Sequence, residues 1–517
     1  MPNQLEQGSW SWRLPDESPA PERRAHEDAT PPAPSFRRAV AFTIAGTAIP
    51  GLGLIAGRRR IIGSIILGLF AAAVLALGIY AAVDRQDLLA HALDPKTLRR
   101  AALALVIIGL VWVAIIIASH LSLRGRPTRG QRAFGGFLVG LLSFAVAAPM
   151  AVAAHYSYVT ASSVGAVFKS ENETKSATRP TLEATQTAPG EPNPQDPWAG
   201  KPRLNVLLLG GDAGPGRVGT RTDTVILASI NTKTGDTALI SLPRNTARMP
   251  FPSRSPLHKY YPYGFTSGNG QNAEYFLNAM YRNVPRSVPK DILGPTDNLG
   301  ADVLKLSVGE ATGLRVDYYV LINLEGFSKM INALGGIKLN INTYIPIGGD
   351  TDRHIPPKEY LKPGPNQKLN GRSALWYARG RYGSDDFARM DRQRCVINAI
   401  IKQANPTNML ARYEDIVKAG KQLVYTDMPR EVLPLMVDLS LRVKDGNVRS
   451  VVFKSGVDGF SSGNPNFSLM RKRVKAAISE SKHPKATKKS GVKPQSESVN
   501  DACAYDPKVA ATSRPYR

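Results

Sequence analysis

The sequence predicts an α/β domain over residues 203–478, preceded by a helical membrane region. Three observations predict it. Short apolar runs alternate with helix-length amphipathic patterns from Leu204 to about Ile478. Upstream, three segments of about 20 nearly uncharged residues are each long enough to cross a bilayer. Between the two, residues 159–202 are rich in Ser, Thr, Pro, Glu and Gly, the composition of a flexible tether.

Residues 1–36 are Pro-rich and charged without apolar periodicity, so a disordered cytoplasmic segment is expected. No apolar core follows the first residues, so no cleavable signal peptide is expected. Residues 37–158 form the membrane region, with spans at Ile61–Val83, Ala101–Leu123 and Ala133–His155. A further apolar stretch, Ala39–Ala56, is shorter and broken by Pro50-Gly51-Leu52-Gly53; it is either a re-entrant hairpin or a fourth span. Arg58, Arg59 and Arg60 precede the first span, and Arg124, Arg126, Arg129 and Arg132 separate the second from the third. Placing both basic clusters in the cytoplasm requires three spans. The protein is then a multi-pass cell-membrane protein whose C-terminal domain is extracytoplasmic.

Within the domain, strands are expected at Val206–Leu209, Val225–Ile230, Ala238–Leu242, Tyr318–Ile322 and Ile337–Ile341. Helices are expected at Asn272–Asn283, Ala301–Gly313, Leu324–Leu334, Asp385–Gln403 and Pro429–Leu439. Residues 479–517 are dominated by Lys, Ser and Pro and are expected to be a basic, disordered tail. The two cysteines, Cys395 and Cys503, allow one bridge or none. In this topology both lie outside the membrane, where a bridge persists and would pin the tail to the Asp385–Gln403 helix.

The charge is placed unusually. The 517 residues carry a formal net charge of +25, which suggests an anionic partner such as a membrane surface, a nucleic acid or a phosphorylated substrate. Between Leu204 and Arg244, Asp and Arg alternate at the ends of buried strands: Asp212, Arg217, Arg221, Asp223 and Arg244. Carboxylates that hold a divalent cation and guanidinium groups that hold phosphate oxygens account for this mixture. Loop salt bridges are the alternative. A second cluster holds Arg379 and Arg381, which point the same way if that segment is extended. Asp385 follows as a helix N-cap or first-turn residue, and Asp386, Arg389 and Gln393 share one helix face, with Arg392 beside it.

Other chemistries fit poorly. Gly211–Val218 resembles a P-loop only superficially, with Arg217 where Lys belongs and Val218 where Ser or Thr belongs. His258 and His354 have no partners at zinc-ligand spacing, and Cys395 has no His nearby in sequence. The basic residues are not interleaved with aromatics as in single-strand binders, and an outside location argues against DNA, so no nucleic acid is expected.

The phrases GGD…R…RTDT, SLPR, HKY and RGR…SDDFAR…RQR identify a resemblance to the LytR–CpsA–Psr family of cell-wall glycopolymer ligases over about residues 203–478. The resemblance implies a three-layer fold, a mixed central sheet flanked by helices with an apolar tunnel for a polyprenyl tail. It implies an enzyme, a magnesium-dependent phosphotransferase, that moves a glycan phosphate from a polyprenyl-pyrophosphate carrier to a peptidoglycan hydroxyl. Matched by position, Asp212 and Asp223 would hold Mg2+. Arg217, Arg221, Arg244, Arg379, Arg381 and Arg389 would bind pyrophosphate, with Lys259 and Gln393 beside them. Asn245 departs from the family pattern, which has Asp there. Asp386, Arg389 and Arg244 are the catalytic candidates. Asp386 is either the base for the acceptor hydroxyl or a helix-start carboxylate that holds Arg389. The apolar helices at Asn272–Tyr281 and Asp302–Ala311 either wall the lipid tunnel or are ordinary core.

Two other functions stay open: a polyprenyl-pyrophosphate hydrolase, which gives the same bond to water, and a non-enzymatic, membrane-anchored binder of anionic wall polymers. Paired carboxylates suit the binder poorly, because they repel a polyanion unless a metal intervenes.

Overall fold

The structure is a computed structural model that describes residues 36–83, 94–123, 128–180, 198, 200–212, 220–350, 353–403, 424–482 and 496–516. Most of the expected N-terminal disordered segment therefore lies outside the described residues, as do the second half of the tether and the middle of the tail.

Helices α1 (Phe36–Ala48) and α2 (Leu52–Ala56) form a hairpin about Pro50-Gly51. Gly51 takes a left-handed φ of 100°, and a Cβ there would lie 2.4 Å from the Gly63 carbonyl oxygen. At 13 residues, α1 is too short to span, which favours the hairpin over a fourth crossing. Three further helices are long and apolar enough to cross a membrane: α3 (Arg60–Val83), α4 (Pro95–Leu123) and α5 (Arg129–Val167). Leu69, Leu110 and Phe144 stand exposed along them, as lipid-facing side chains do.

The stretch expected to be a tether departs from that expectation where it is described. Helix α5 runs on to Val167, and residues 169–180 dock on the domain. Ser176 Oγ donates to Asp302 Oδ1 at 2.9 Å and to Asp427 Oδ2 at 3.1 Å, and Ala177 N donates to Asp302 Oδ2 at 3.0 Å. Asp302 and Asp427 are buried. Buried carboxylates need donors, and the Ser and Thr residues that read as linker supply them.

The domain follows as β1 (Arg203–Gly211), β2 (Thr222–Asn231), β3 (Thr237–Leu242), the one-turn helix α6 (Leu257–Tyr260), α7 (Leu277–Ser287), α8 (Leu299–Thr312), β4 (Tyr318–Asn323) and α9 (Leu324–Ala333). Next come β5 (Ile337–Ile341), β6 (Ile345–Asp350), β7 (Ile355–Leu361), β8 (Gly364–Leu369), α10 (Gly371–Arg379), α11 (Asp386–Gln403) and β9 (Val424–Thr426). The chain closes with α12 (Leu433–Asp445), β10 (Val448–Val452), α13 (Phe467–Lys482), β11 (Glu497–Ser498), α14 (Val499–Ala502) and α15 (Pro507–Thr512).

Seven strands form one mixed sheet in the order β11-β10-β3-β2-β1-β4-β9. Strand β1 pairs antiparallel with β2 and parallel with β4. Helices cover both faces, so the central strands read as unbroken apolar runs. Leu207, Leu209, Leu227, Ile240 and Leu242 pack with side chains of α7, α8 and α13, among them Met280, Val303 and Met470. Leu204 and Val206 pack on the other side with Leu439 and Val443 of α12, while Ile226 and Leu239 meet Ile397 of α11. Each large side chain buried in full contributes about 1.5–3 kcal/mol. Strand β5, although expected, pairs with β8 in a separate ribbon rather than in the main sheet.

The described end of the tail is ordered, against expectation. Strand β11 extends the sheet by pairing with β10. Cys503 is bonded to Cys395 of α11, and Arg394 makes an ion pair with Glu497. Val499 is fully buried. The bridge is the one that the two cysteines allow; the other two anchors are sparse in a Lys/Ser/Pro-rich stretch, so composition hides them.

Candidate functional site

The topology gathers the charges. β1 and β2 are antiparallel, so the end of one meets the start of the other, Gly211 opposite Thr222 across a bulge. A Cβ on Gly210 would lie 2.9 Å from the Thr224 side chain, so the double glycine lets these strand ends close up. Asp212 and Asp223 become neighbours in this way. Arg221 N donates to Asp212 Oδ1 at 2.8 Å, and Asp212 N donates to the Arg221 carbonyl at 3.0 Å. β3 pairs antiparallel with β2, Leu242 opposite Val225, which carries Arg244 back beside Asp223.

Arg244 is the hub. Its Nη1 lies 2.9 Å from Asp223 Oδ1 and its Nε 3.3 Å from Asp386 Oδ1. Arg389 Nη2 lies 3.0 Å from Asp386 and donates to the Asp223 carbonyl at 3.1 Å. Arg381 Nη1 is 3.9 Å from Asp386. Asn278 Nδ2, from the first turn of α7, donates to Asp223 Oδ1 at 3.2 Å. Asp385 Oδ1 accepts from Ala388 N at 2.7 Å, which caps α11 and fixes the start of the helix that carries Asp386 and Arg389.

The cluster sits at one end of a cavity of about 480 Å³. Asp212, Asp223, Arg379, Arg381, Arg389 and Gln393 line its polar end. The rest is apolar: Leu208 and Val320 from the sheet, Phe327 and Met330 from α9, Leu375 from α10, and Val396, Ile397 and Ile400 from α11. One cavity thus combines a charged mouth with a hydrocarbon interior.

Burial alone would raise the Asp223 carboxyl, but Arg244, Arg389 and Asn278 outweigh it and hold the group below the ordinary carboxylate value. Burial pushes the Arg389 guanidinium down to about 10, so it remains charged at neutral pH. Arg389 Nε and Asn278 Oδ1 are buried without a hydrogen-bond partner. Arg389 lines the cavity, so its unsatisfied Nε is a donor that a polar group there can satisfy. Among the described residues no three His, Cys, Asp or Glu side chains come together in a metal-binding group. A divalent ion on Asp212 and Asp223 would complete its shell with substrate oxygens and water, the arrangement magnesium accepts.

The model of the LytR_cpsA_psr family matches residues 157–482, more than half of the chain. The chain belongs to the LytR_cpsA_psr family. It is similar to proteins named polyisoprenyl-teichoic acid–peptidoglycan teichoic acid transferase TagU. The one from Oceanobacillus iheyensis is 29% identical over 246 residues, 46% of this chain and 62% of that protein. The one from Enterococcus faecalis is 30% identical over 234 residues, 44% of this chain and 62% of that protein. The chain therefore spans less than two thirds of the length of these relatives. Among solved structures, that of B. subtilis TagV is 22% identical with a TM-score of 0.37, over 54% of this chain and 98% of that one.

For this member of the LytR_cpsA_psr family, Asp212, Asp223, Arg379, Arg381, Arg389 and Gln393 line the cavity, and Arg244 and Asp386 join them through ion pairs with Asp223, Arg381 and Arg389. Three expectations change. Arg379 closes helix α10 and stacks over Trp376 at 4.8 Å, so the segment is not extended up to it; the turn after Gly380 brings Arg381 to the same cavity. Arg392 turns away from the mouth, its Nε donating to the Tyr377 carbonyl at 2.7 Å. The cavity is walled by α9, α10 and α11, whereas α7 and α8, read as either tunnel wall or ordinary core, pack as core on the opposite side of the sheet. Arg221 lies beside Asp212 through its backbone, but its guanidinium pairs with Glu274. Lys259 is exposed on α6 and does not line the cavity. Arg217 lies outside the described residues. Sequence reasoning missed Glu274 and Asn278, which are ordinary helix-start residues until the fold sets them against Arg221 and Asp223.

Proposed function

We propose that this protein is a membrane-anchored phosphotransferase that moves a glycan phosphate from a polyprenyl-pyrophosphate carrier to a peptidoglycan hydroxyl. One observation carries the reading: a single cavity joins an Arg/Asp mouth to an apolar interior, which fits a pyrophosphate head on a hydrocarbon tail. The names of the relatives point the same way. The three apolar helices and the disulfide support a multi-pass anchor with the domain in an oxidising, extracytoplasmic space.

In the proposed reaction an acceptor hydroxyl oxygen attacks the glycan-bearing phosphorus. The P–O bond to the bridging oxygen breaks, and polyprenyl phosphate leaves. Arg244, Arg379, Arg381 and Arg389 neutralise the charge that grows on the leaving phosphate. Asp386 takes the hydroxyl proton, and its contacts with Arg244 and Arg389 fix its position. Arg221, Gln393, Lys259 and Arg217 are proposed as secondary contacts to the head. Magnesium held by Asp212 and Asp223 would supply further neutralisation of the pyrophosphate.

The test uses the full-length protein in nanodiscs with magnesium and a polyprenyl-pyrophosphate-linked glycan, following polyprenyl phosphate release. Release that requires peptidoglycan, with glycan appearing on it, is the expected result. Equal release without peptidoglycan would make the protein a hydrolase, and retained lipid without release would make it a binder.

A further inference from the structure

A second cavity, of about 290 Å³, lies outside the mouth just described. That volume is at the lower end of the range small-molecule sites occupy. Half-buried Tyr275 forms the aromatic floor, its ring backed by that of Phe265 at 5.0 Å. Phe265 is almost fully buried and braced by Tyr261 at 5.4 Å, so the floor is rigid. Arg248, Gln271, Asn272 and Asn464 supply the polar lining. None of these side chains lines the apolar cavity.

The two sites share a wall. Ala247 lines the second cavity and is three residues from Arg244; Phe276 lines it and is two residues from Asn278. Leu277 N donates to the Thr246 carbonyl and Asn278 N to the Arg244 carbonyl, both at 3.0 Å, which ties the two segments side by side. Three residues of chain reach at most about 11 Å, so the second cavity adjoins the Arg/Asp cluster. Glu274, next in sequence to the lining residue Tyr275, pairs with Arg221.

The lining is held in place by backbone that other sequences would not adopt. Arg248 has a left-handed φ of 51°. A Cβ on Gly264 would lie 2.3 Å from the Arg248 carbonyl oxygen, so only glycine lets the Met249–Phe265 bridge form beside it. A Cβ on Gly463 would lie 2.2 Å from Gln271 Nε2, so that glycine leaves the space the amide occupies.

An aromatic face for C–H groups, ringed by amide and guanidinium groups for hydroxyls and N-acetyl carbonyls, is the chemistry that recognises a hexose ring. We propose that this cavity is a saccharide subsite of the transferase. The inference rests on the proposed function for the source of the sugar, which is either the carrier's first sugar or the peptidoglycan acceptor. Tail, pyrophosphate and sugar then each have their own place in sequence along one path.

The experiment measures binding of a soluble peptidoglycan tetrasaccharide to the full-length protein in nanodiscs by saturation-transfer NMR, alongside KM for donor and for acceptor. The variants are Gln271→Ala with Asn464→Ala, and Asn464→Trp, which fills the opening from an exposed position. Loss of tetrasaccharide binding with an acceptor KM raised about tenfold supports the proposal with the acceptor as source. An unchanged tetrasaccharide signal with a donor KM raised about tenfold supports it with the carrier's sugar as source. Tetrasaccharide binding that the variants abolish, in a protein that transfers nothing, keeps the subsite and removes the transferase reading. No change beyond twofold in binding or in either KM overturns the proposal.

Discussion

Two ionic clusters in the same domain behave as opposites. Lys305, Asp427 and Asp302 form one, against the irregular segment of Ser176 to Thr178. Lys305 and Asp427 side chains are 1% and 5% exposed, and Asp427 also accepts from Tyr319 N and Ser176 Oγ. Arg244, Asp223 and Asp386, with Arg389 and Asn278 against them, form the other beside the cavity; the first three side chains are 25%, 33% and 22% exposed. Polar atoms in the first find partners within the protein, whereas Arg389 Nε and Asn278 Oδ1 in the second do not. A closed network of charges holds the fold together. An open one, beside an apolar cavity, is where the proposed lipid pyrophosphate would find its partners.

The comparison breaks first at Asp223. Asp223→Asn is expected to lower acceptor-dependent transfer by about a thousandfold, the scale of losing a preorganised charge in a site. Its melting temperature should stay within a few degrees of the parent. Thermal melts and the release assay check both halves; a large loss of stability with normal transfer per folded molecule would reverse the assignment.

The closed cluster should show the mirror image. Lys305→Met strands Asp427 without its cation, a change worth about 3–5 kcal/mol. A melting temperature lower by roughly 10 °C is expected, with kcat of the folded protein within about twofold. Adding Asp427→Leu should recover part of the loss, because the uncompensated charge is then gone.

The disulfide sharpens the comparison between site and scaffold. Cys395 and Cys503 are 108 residues apart, and cross-linking a loop of this length stabilises by about 4–5 kcal/mol in the chain-entropy picture. Cys503→Ser is expected to lower the melting temperature, measured with and without reductant, while leaving the KM for donor unchanged. Equal melting of variant and parent under oxidising conditions would mean the tail contributes nothing.

The smallest expected effect is on pH. Asp223 has a folded-state pKa below its unfolded value, so the stability it contributes is present above about pH 4 and is lost as pH falls through the lower, folded value. In acid titrations the stability difference between the parent and Asp223→Asn should be constant above about pH 4 and shift against the parent only below it. A difference that shifts in favour of the parent as pH falls would contradict that sign.

Much of the fold was legible because its central strands are covered on both faces. Val206–Leu209, Val225–Ile230 and Ala238–Leu242 read as strands since burial on both sides demands unbroken apolar runs. Strands β6 to β8 carry Pro346, Gly348, Pro356 and Pro357 and show no such run, so they were invisible. The site was legible through charge at strand ends, where Asp212, Asp223 and Arg244 had no structural reason to be. Asn278 and Glu274 were not, because their meaning lies in what they face. The order in residues 169–180 escaped for a related reason: Ser176 and Thr178 resemble linker until Asp302, more than a hundred residues away, is seen to need their hydroxyls.

The central claim is that the charged mouth and the apolar interior form one site for one amphiphile. Titrating the full-length protein in nanodiscs with geranyl pyrophosphate and with inorganic pyrophosphate tests it most directly. Each buried methylene is worth about 0.8 kcal/mol, so geranyl pyrophosphate should bind at least about a hundredfold more tightly. Leu375→Trp, which fills the interior, should erase most of that difference and leave the Kd of inorganic pyrophosphate unchanged. Equal affinity of the two ligands for the parent protein would contradict the account.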